Sequence, residues 1–512
     1  MAAMPSRLSL ALSLFALTAT GAAPAAPTEQ WRPAFHYSAQ RNWLNDPNGL
    51  VYADGEYHLF YQYNPYGDHW GHMSWGHALS RDLVRWRELP VAIPEDENYA
   101  IFSGSIVVDA QNSSGFGPPG QAPMVAIYTG SERADGGKQN QQLAYSNDRG
   151  RTWRKYAGNP VLDLGLSAFR DPKVFWYAPR AEWIMAASRA DEKRVTFYGS
   201  GDLKNWRHLG DFGPAGTADG AWECPDLFAL PVEKQPGERR WVLKVDVFRS
   251  GALTGSGAQY FVGRFDGRSF EPEAGTQARE VDFGRDFYAA ASWSNVPARD
   301  GRLLWVAWMN SHHYAADVPT APWRGAMSVP RALSLRRVAD GYELIQAPVA
   351  ELERRRTRHR HLQGVQVRPG TDANLGRTGG GGSDIVATLQ AGGAAEFGLA
   401  VRVGATQRTV VGYDMASQRL FVDRTRSGRV DFNPRFPGRQ WAPLALADGR
   451  LRVRLLIDRS SLEVFAGDGA RVLTELIFPD ARSTGLHAYA RGGTAVVDSL
   501  DLWEIAGAEA GR

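Results

Sequence analysis

Ser80-Arg81-Asp82-Leu83-Val84-Arg85-Trp86 is the stretch on which the reading of the fold turns. An acid opens a tight turn and an aromatic residue closes it, between runs of alternating apolar and polar residues. The arrangement returns in degenerate form at Ser146-Asn147-Asp148 before Trp153, at Gly201-Asp202 before Trp206 and at Phe265-Asp266 before Phe270. The aromatic follows the acid by four or five residues, and the turns recur every 54 to 66 residues. That period is on the scale of a four-stranded propeller blade. Tyr57-His58-Leu59-Phe60-Tyr61-Gln62-Tyr63 and Met124-Val125-Ala126-Ile127-Tyr128 are typical of the strands between. With further strands around 303–309 and at the N-terminus, the repeat predicts an all-β chain whose residues 31–345 form a five-bladed β-propeller. Unrelated hairpins in a sandwich are the other reading of the same turns.

Residues 346–362 read as a linker. The arginine-rich run 351–361 within them fits a solvated linker or an exposed strand edge better than a nucleic-acid patch. A second alternating region, 363–506, includes Leu451-Arg452-Val453-Arg454-Leu455-Leu456-Ile457 and Ser461-Leu462-Glu463-Val464-Phe465 and predicts a C-terminal β-sandwich.

At the N-terminus one early positive charge, Arg7, precedes the apolar run Leu8 to Leu17 and an Ala23-Pro24-Ala25 pattern. Residues 1–26 therefore read as a secretory signal peptide, too short in its apolar part to span a membrane. The expectation is a secreted protein, extracellular or periplasmic. Cys224 is the only cysteine, so no internal disulfide is possible. A formal charge of +3 over 512 residues gives no case for a nucleic-acid or membrane partner. Aromatic residues make up 11% of the chain, with 17 Trp, a composition common among carbohydrate-active β-proteins.

Three acidic segments carry the chemistry: Asn45-Asp46-Pro47-Asn48-Gly49, Arg170-Asp171-Pro172 and Trp222-Glu223-Cys224-Pro225. Proline fixes its own φ and biases the preceding residue towards extended backbone, so these carboxylates are expected on stiff chain. Singly, each has an ordinary explanation: a β-turn at Asp46, an ion pair at Arg170-Asp171, a surface acid at Glu223. Converging in one pocket, they suggest glycoside hydrolysis, which needs one carboxylate at the anomeric carbon and one protonated carboxyl at the leaving oxygen. Asp171 beside Arg170 is expected to stay ionised, whereas the Trp222 ring could desolvate Glu223 and fit it as the acid. Cys224 reads as a packed thiol. His69, His72 and His77 match no common zinc spacing, so neither metal nor cofactor is expected.

The chain resembles glycoside hydrolase family 32, the β-fructosidases. The resemblance rests on 42–49, on Trp70-Gly71-His72-Met73-Ser74-Trp75-Gly76-His77, on Phe102-Ser103-Gly104-Ser105, on Phe169-Arg170-Asp171-Pro172 and on Glu223-Cys224-Pro225. Gly284-Arg285-Asp286-Phe287-Tyr288-Ala289-Ala290 resembles bacterial levanases and exo-inulinases. The resemblance implies a five-bladed propeller with a C-terminal β-sandwich and a funnel at the propeller axis. It implies Asp46 as nucleophile, Glu223 as general acid/base and Asp171 as the third acid, holding fructose hydroxyls. Asn45, Gln62, Trp70, Ser103 and Arg170 are carried over as substrate-binding residues. Phe102 and Trp75 are expected in the pocket wall or blade core. One departure stands out: His312 occupies a place where a tryptophan is usual, which bears on the outer subsites.

The leading expectation is a secreted retaining hydrolase that releases fructose from the ends of β-fructans, levan or inulin, with sucrose a further candidate. Endo-acting and levanbiose-releasing hydrolases, a fructosyltransferase and a non-catalytic carbohydrate-binding propeller are the alternatives.

Overall fold

The computed structural model describes residues 29–134, 137–248, 257–274 and 277–507. The signal peptide read at 1–26 lies outside the described residues.

The four turn acids act alike. Asp82 Oδ1 accepts the amides of Val84 and Arg85, and Asp148 Oδ1 those of Arg151 and Thr152. Asp202 accepts from Lys204 and Asn205, and Asp266 from Arg268 and Ser269. In each case a short acidic side chain satisfies the amides of a tight turn. The following tryptophan folds back over it: the Trp153 and Trp206 indoles donate to the carbonyls of Gly150 and Leu203. Each turn joins the third strand of an antiparallel sheet to its fourth.

Among the described residues five such sheets follow one another along the chain. Their first strands are Asn42–Ala53, Tyr99–Val108, Phe169–Tyr177, Ala221–Pro231 and Tyr288–Ser292. These five touch in chain order, and the last touches the first. A ring of inner strands with each sheet running outward from it is a β-propeller. Apolar faces of neighbouring sheets meet to form the core. Trp222, Phe212, Phe261 and Phe270 fill the space beside the third and fourth sheets, and Trp305, Phe228 and Phe287 that beside the fourth and fifth.

The C-terminal part is a β-sandwich of two six-stranded sheets. Alternate residues of Arg450–Ile457 and Ser461–Ala466 point into one apolar core. The predicted linker is not free chain. Gly341–Pro348 is the outer strand of the fifth sheet, Ala350–Arg355 is a short 3-10 turn, and Arg356–Val367 is an edge strand of the sandwich. The domain boundary expected at 362 thus falls inside a strand. An edge strand with one solvated face tolerates this run of charge. Trp503 supports it, with the His359 ring stacked at 4.7 Å and the Arg356 guanidinium 4.1 Å from its centre.

Buried ions join the two parts. Arg331 of the propeller reaches Asp282, Glu463 and Thr474. Arg424 of the sandwich reaches Asp286 and Tyr314 of the propeller. His36 lies between Asp458 and Glu463, 2.8 Å from each. Burial alone would lower its pKa, but the two carboxylates raise it to about 9. A charge withdrawn from water this far needs such partners.

Candidate active site

Every inner strand slips register near the ring axis. The breaks fall between Leu44 and Pro47, Ile101 and Gly104, Arg170 and Lys173, Glu223 and Asp226, and Tyr288 and Ala291. Bulges bend a strand and re-aim its side chains, and here they turn Asp46, Ser103, Asp171, Glu223 and Tyr288 towards one another. The proline argument needs correcting at two of these places. Asp171 and Cys224, each directly before a proline, are not extended; their φ values are +62° and +45°. Left-handed backbone at residues with side chains costs on the order of 1–3 kcal/mol and persists only where surroundings impose it. The Asp171 amide is held by Thr129 Oγ1 at 2.9 Å, and its carboxylate accepts the Cys224 amide at 2.9 Å.

The three acids are brought together. Asp46 Oδ1 accepts from Asn45 Nδ2 at 3.0 Å, and its Oδ2 from Ser103 Oγ at 2.8 Å. Cys224 Sγ stands 3.7 Å from both Asp46 and Asp171, so the thiol read as mere packing lies between two of the acids. Arg170 donates to Glu223 Oε1 at 3.0 and 3.2 Å and to Gln139 at 3.2 Å. Tyr288 donates to Glu223 Oε2 at 2.5 Å.

Two of the environmental expectations fail. Arg170 approaches Asp171 no closer than 4.0 Å and spends its donors on Glu223. Burial pushes Asp171 up to about 7, with Glu223 and Asp46 acting the same way against Arg170 and the Cys224 amide. Arg170 therefore does not hold Asp171 firmly ionised. Trp222 does not cover Glu223: successive residues of a strand face opposite ways, and its ring is buried against Phe212 and Phe261 while its indole donates to Thr217. Glu223 is enclosed instead by Tyr288 and Arg170.

Of the carried-over binding residues, Asn45, Ser103 and Arg170 touch the acids directly. Gln62 is buried and spends its amide on the Ile101 carbonyl, two residues from Ser103. Trp70 is 58% exposed at the rim, edge-on to Phe102. Trp75 is core. His312 is exposed, its ring edge-on to Tyr288 at 4.7 Å and near Trp308 and Phe248. His77 is buried against His58, while His72 and His69 pair with Glu95 and Asp68. Among the described residues no three His, Cys, Asp or Glu side chains are grouped as a metal site.

Sequence reading gave no role to Tyr288, although it stands inside a quoted motif, nor to Lys244 and Asp246. The signal for the latter pair was present: charges two apart in the strand Arg239–Phe248 share one face. Below the acids the axis narrows to a cavity of about 30 Å³, lined by Pro47, Gly49, Asp171, Cys224, Asp226 and Ser292. That is room for about one water.

Carboxyl groups from separate sheets, set around a pocket at a propeller axis and held by donors that fix their orientation, are the equipment of a glycoside hydrolase. The chain belongs to Glycosyl hydrolases family 32, matching the family's N-terminal domain over residues 36–348 and its C-terminal domain over 351–504. It is 48% identical to a levanase of Bacillus subtilis (strain 168), over 93% of this chain and 70% of that protein. It is 38% identical to an extracellular exo-inulinase of Aspergillus awamori, over 98% of this chain and 99% of the relative. The crystal structure of exo-inulinase from Aspergillus awamori superposes with a TM-score of 0.86 at 37% identity, covering 94% of this chain and 99% of the other. A fructofuranosidase from Schwanniomyces occidentalis complexed with fructose gives 0.85 at 31% identity, covering 94% and 100%.

Proposed function

We propose that this glycoside hydrolase releases fructose from the ends of β-fructans, with retention of configuration. The observation that carries the reading is the division of donors among the acids. Asp46 is oriented on its two oxygens by the neutral donors Asn45 and Ser103, while Glu223 is held by the Arg170 cation on one oxygen and the Tyr288 hydroxyl on the other. In the first step an Asp46 oxygen bonds to the anomeric carbon as the bond to the leaving oxygen breaks, and Glu223 gives that oxygen its proton. In the second, Glu223 takes a proton from water, whose oxygen bonds to the anomeric carbon and releases Asp46. Asp171, raised to about 7, holds a proton for much of the neutral range and so can donate to a sugar hydroxyl as well as accept from one.

Names of relatives support the substrate class, since levanase and exo-inulinase are among them. Export is supported by the leader-like residues 1–26 and by a relative described as extracellular. The test is product analysis on levan, inulin and sucrose in the first minutes, with the anomeric form of the released sugar read by NMR. Free fructose appearing first as the β-anomer supports the proposal. A ladder of oligomers, disaccharide alone, longer transfer products as the main output, or α-anomer first would overturn it.

A further inference from the structure

Strand Arg239–Phe248 runs antiparallel to Ala221–Pro231, with Asp246 the direct partner of Glu223 and Lys244 that of Asp226. Opposed residues project from the same face, and two acids so placed repel. Asp246 is nonetheless fully buried there. Lys244, on the same face and also fully buried, pairs with Asp246. Its ammonium also donates to the carbonyls of Cys224 at 3.1 Å and Ala290 at 2.7 Å. Three donors meet three acceptors, and the inner strands of the fourth and fifth sheets are tied together beside Glu223 and Tyr288. Asp246 Oδ1, by contrast, has no hydrogen-bond partner among the described residues. A buried carboxyl oxygen left unsatisfied costs stability, and no packing role accounts for it here.

The titratable and charged groups facing Asp246 come from three other strands as well as its own. They are Lys244, then Glu223 and Cys224, then Tyr288, then Asp46. We propose that Asp246, held by Lys244, is a positioning residue for Glu223: its negative field helps Glu223 keep the proton that the leaving oxygen must receive. This rests on the role of Glu223 given above. Burial pushes Asp246 up to about 7 against the pull of Lys244. Its charge therefore grows in as the pH rises through neutrality, when Glu223 most needs help in holding a proton.

The experiment is the pH profile of kcat/KM on levan or inulin for the wild type and Asp246→Asn. The alkaline limb is expected to move down by about 1 pH unit, since the amide leaves Lys244 uncompensated beside Glu223. Should that variant fail to fold, Asp246→Asn combined with Lys244→Gln removes both charges. Its limb moves the same way by less, because Glu223 loses its direct cross-strand partner charge but no longer faces an uncompensated Lys244. Fructose release by the wild type with an unmoved limb in the folded variant, whatever the loss in kcat, overturns the inference alone. No release by the wild type overturns the proposed function and this inference with it.

Discussion

Tyr288, itself buried, donates its hydroxyl hydrogen to Glu223 at 2.5 Å from a different sheet. Burial, and then the Glu223 carboxylate, push the phenol well above 10, so it remains a donor throughout the working range. Tyr288→Phe removes that donor and leaves Glu223 Oε2 unpaired. A hydrogen bond to a charged group contributes about 1.5–3 kcal/mol, so kcat/KM is expected to fall roughly 10- to 100-fold. The melting temperature should change little. An unchanged kcat/KM would remove Tyr288 from the machinery.

The two principal carboxyls separate by leaving group. Glu223→Gln loses the proton donor, so turnover of a fructan falls by orders of magnitude, while an aryl fructoside with an acidic leaving phenol is hydrolysed much less impaired in its first step. Asp46→Asn loses the nucleophile and is disabled on both substrates. Steady-state and burst kinetics on the two substrates check this. Equal losses on both substrates for Glu223→Gln would reject its role as the acid.

Much of this molecule can be read from the chain because its turns are local. Asp82, Asp148, Asp202 and Asp266 close turns with amides two to four residues away, and the strands they separate alternate plainly. The three acids were legible as motifs, yet two inferences about their surroundings failed for one reason. Arg170 and Trp222 are sequence neighbours of Asp171 and Glu223, and bulged or alternating strands send such neighbours elsewhere. The neighbours of Glu223 are Arg170, Tyr288 and its cross-strand partner Asp246, brought in by sheet packing and strand register, which local sequence does not encode. Of the two readings of the charged run 351–361, linker or exposed strand edge, the strand edge is the one found from Arg356 onward.

His36 links pH to stability. Its pKa is raised from 6.5 to about 9 by Asp458 and Glu463 despite burial. The stabilisation from its charge is therefore complete below about 6.5 and is lost as the pH rises through about 9. Its size is on the order of 3 kcal/mol. Thermal melts between about pH 6 and about pH 10 should show the wild type losing more stability than His36→Gln, whose curve lies lower at the acid end and is flatter. Parallel curves would mean that His36 is neutral at its site.

The wall beyond Glu223 is where the sequence reading expected a tryptophan and the chain carries His312. His312 is exposed and rests edge-on against Tyr288, with Phe248 at 5.0 Å on its other side. Phe248 is 39% exposed, so an apolar ring is already presented there. Tyr288 joins this wall to Glu223, which makes it the expected path of the leaving sugar. An imidazole offers a smaller apolar face than an indole and a polar edge in its place. His312→Trp adds a stacking surface, and aromatic contacts of this kind contribute about 0.5–1.5 kcal/mol beyond burial. KM for inulin-type oligomers is then expected to drop roughly 2- to 10-fold, with kcat little changed. KM for sucrose should respond less, because a shorter substrate reaches less of the wall. Initial rates across a ladder of chain lengths decide it: a uniform change at every length would place His312 against the first fructosyl unit and not against the leaving chain.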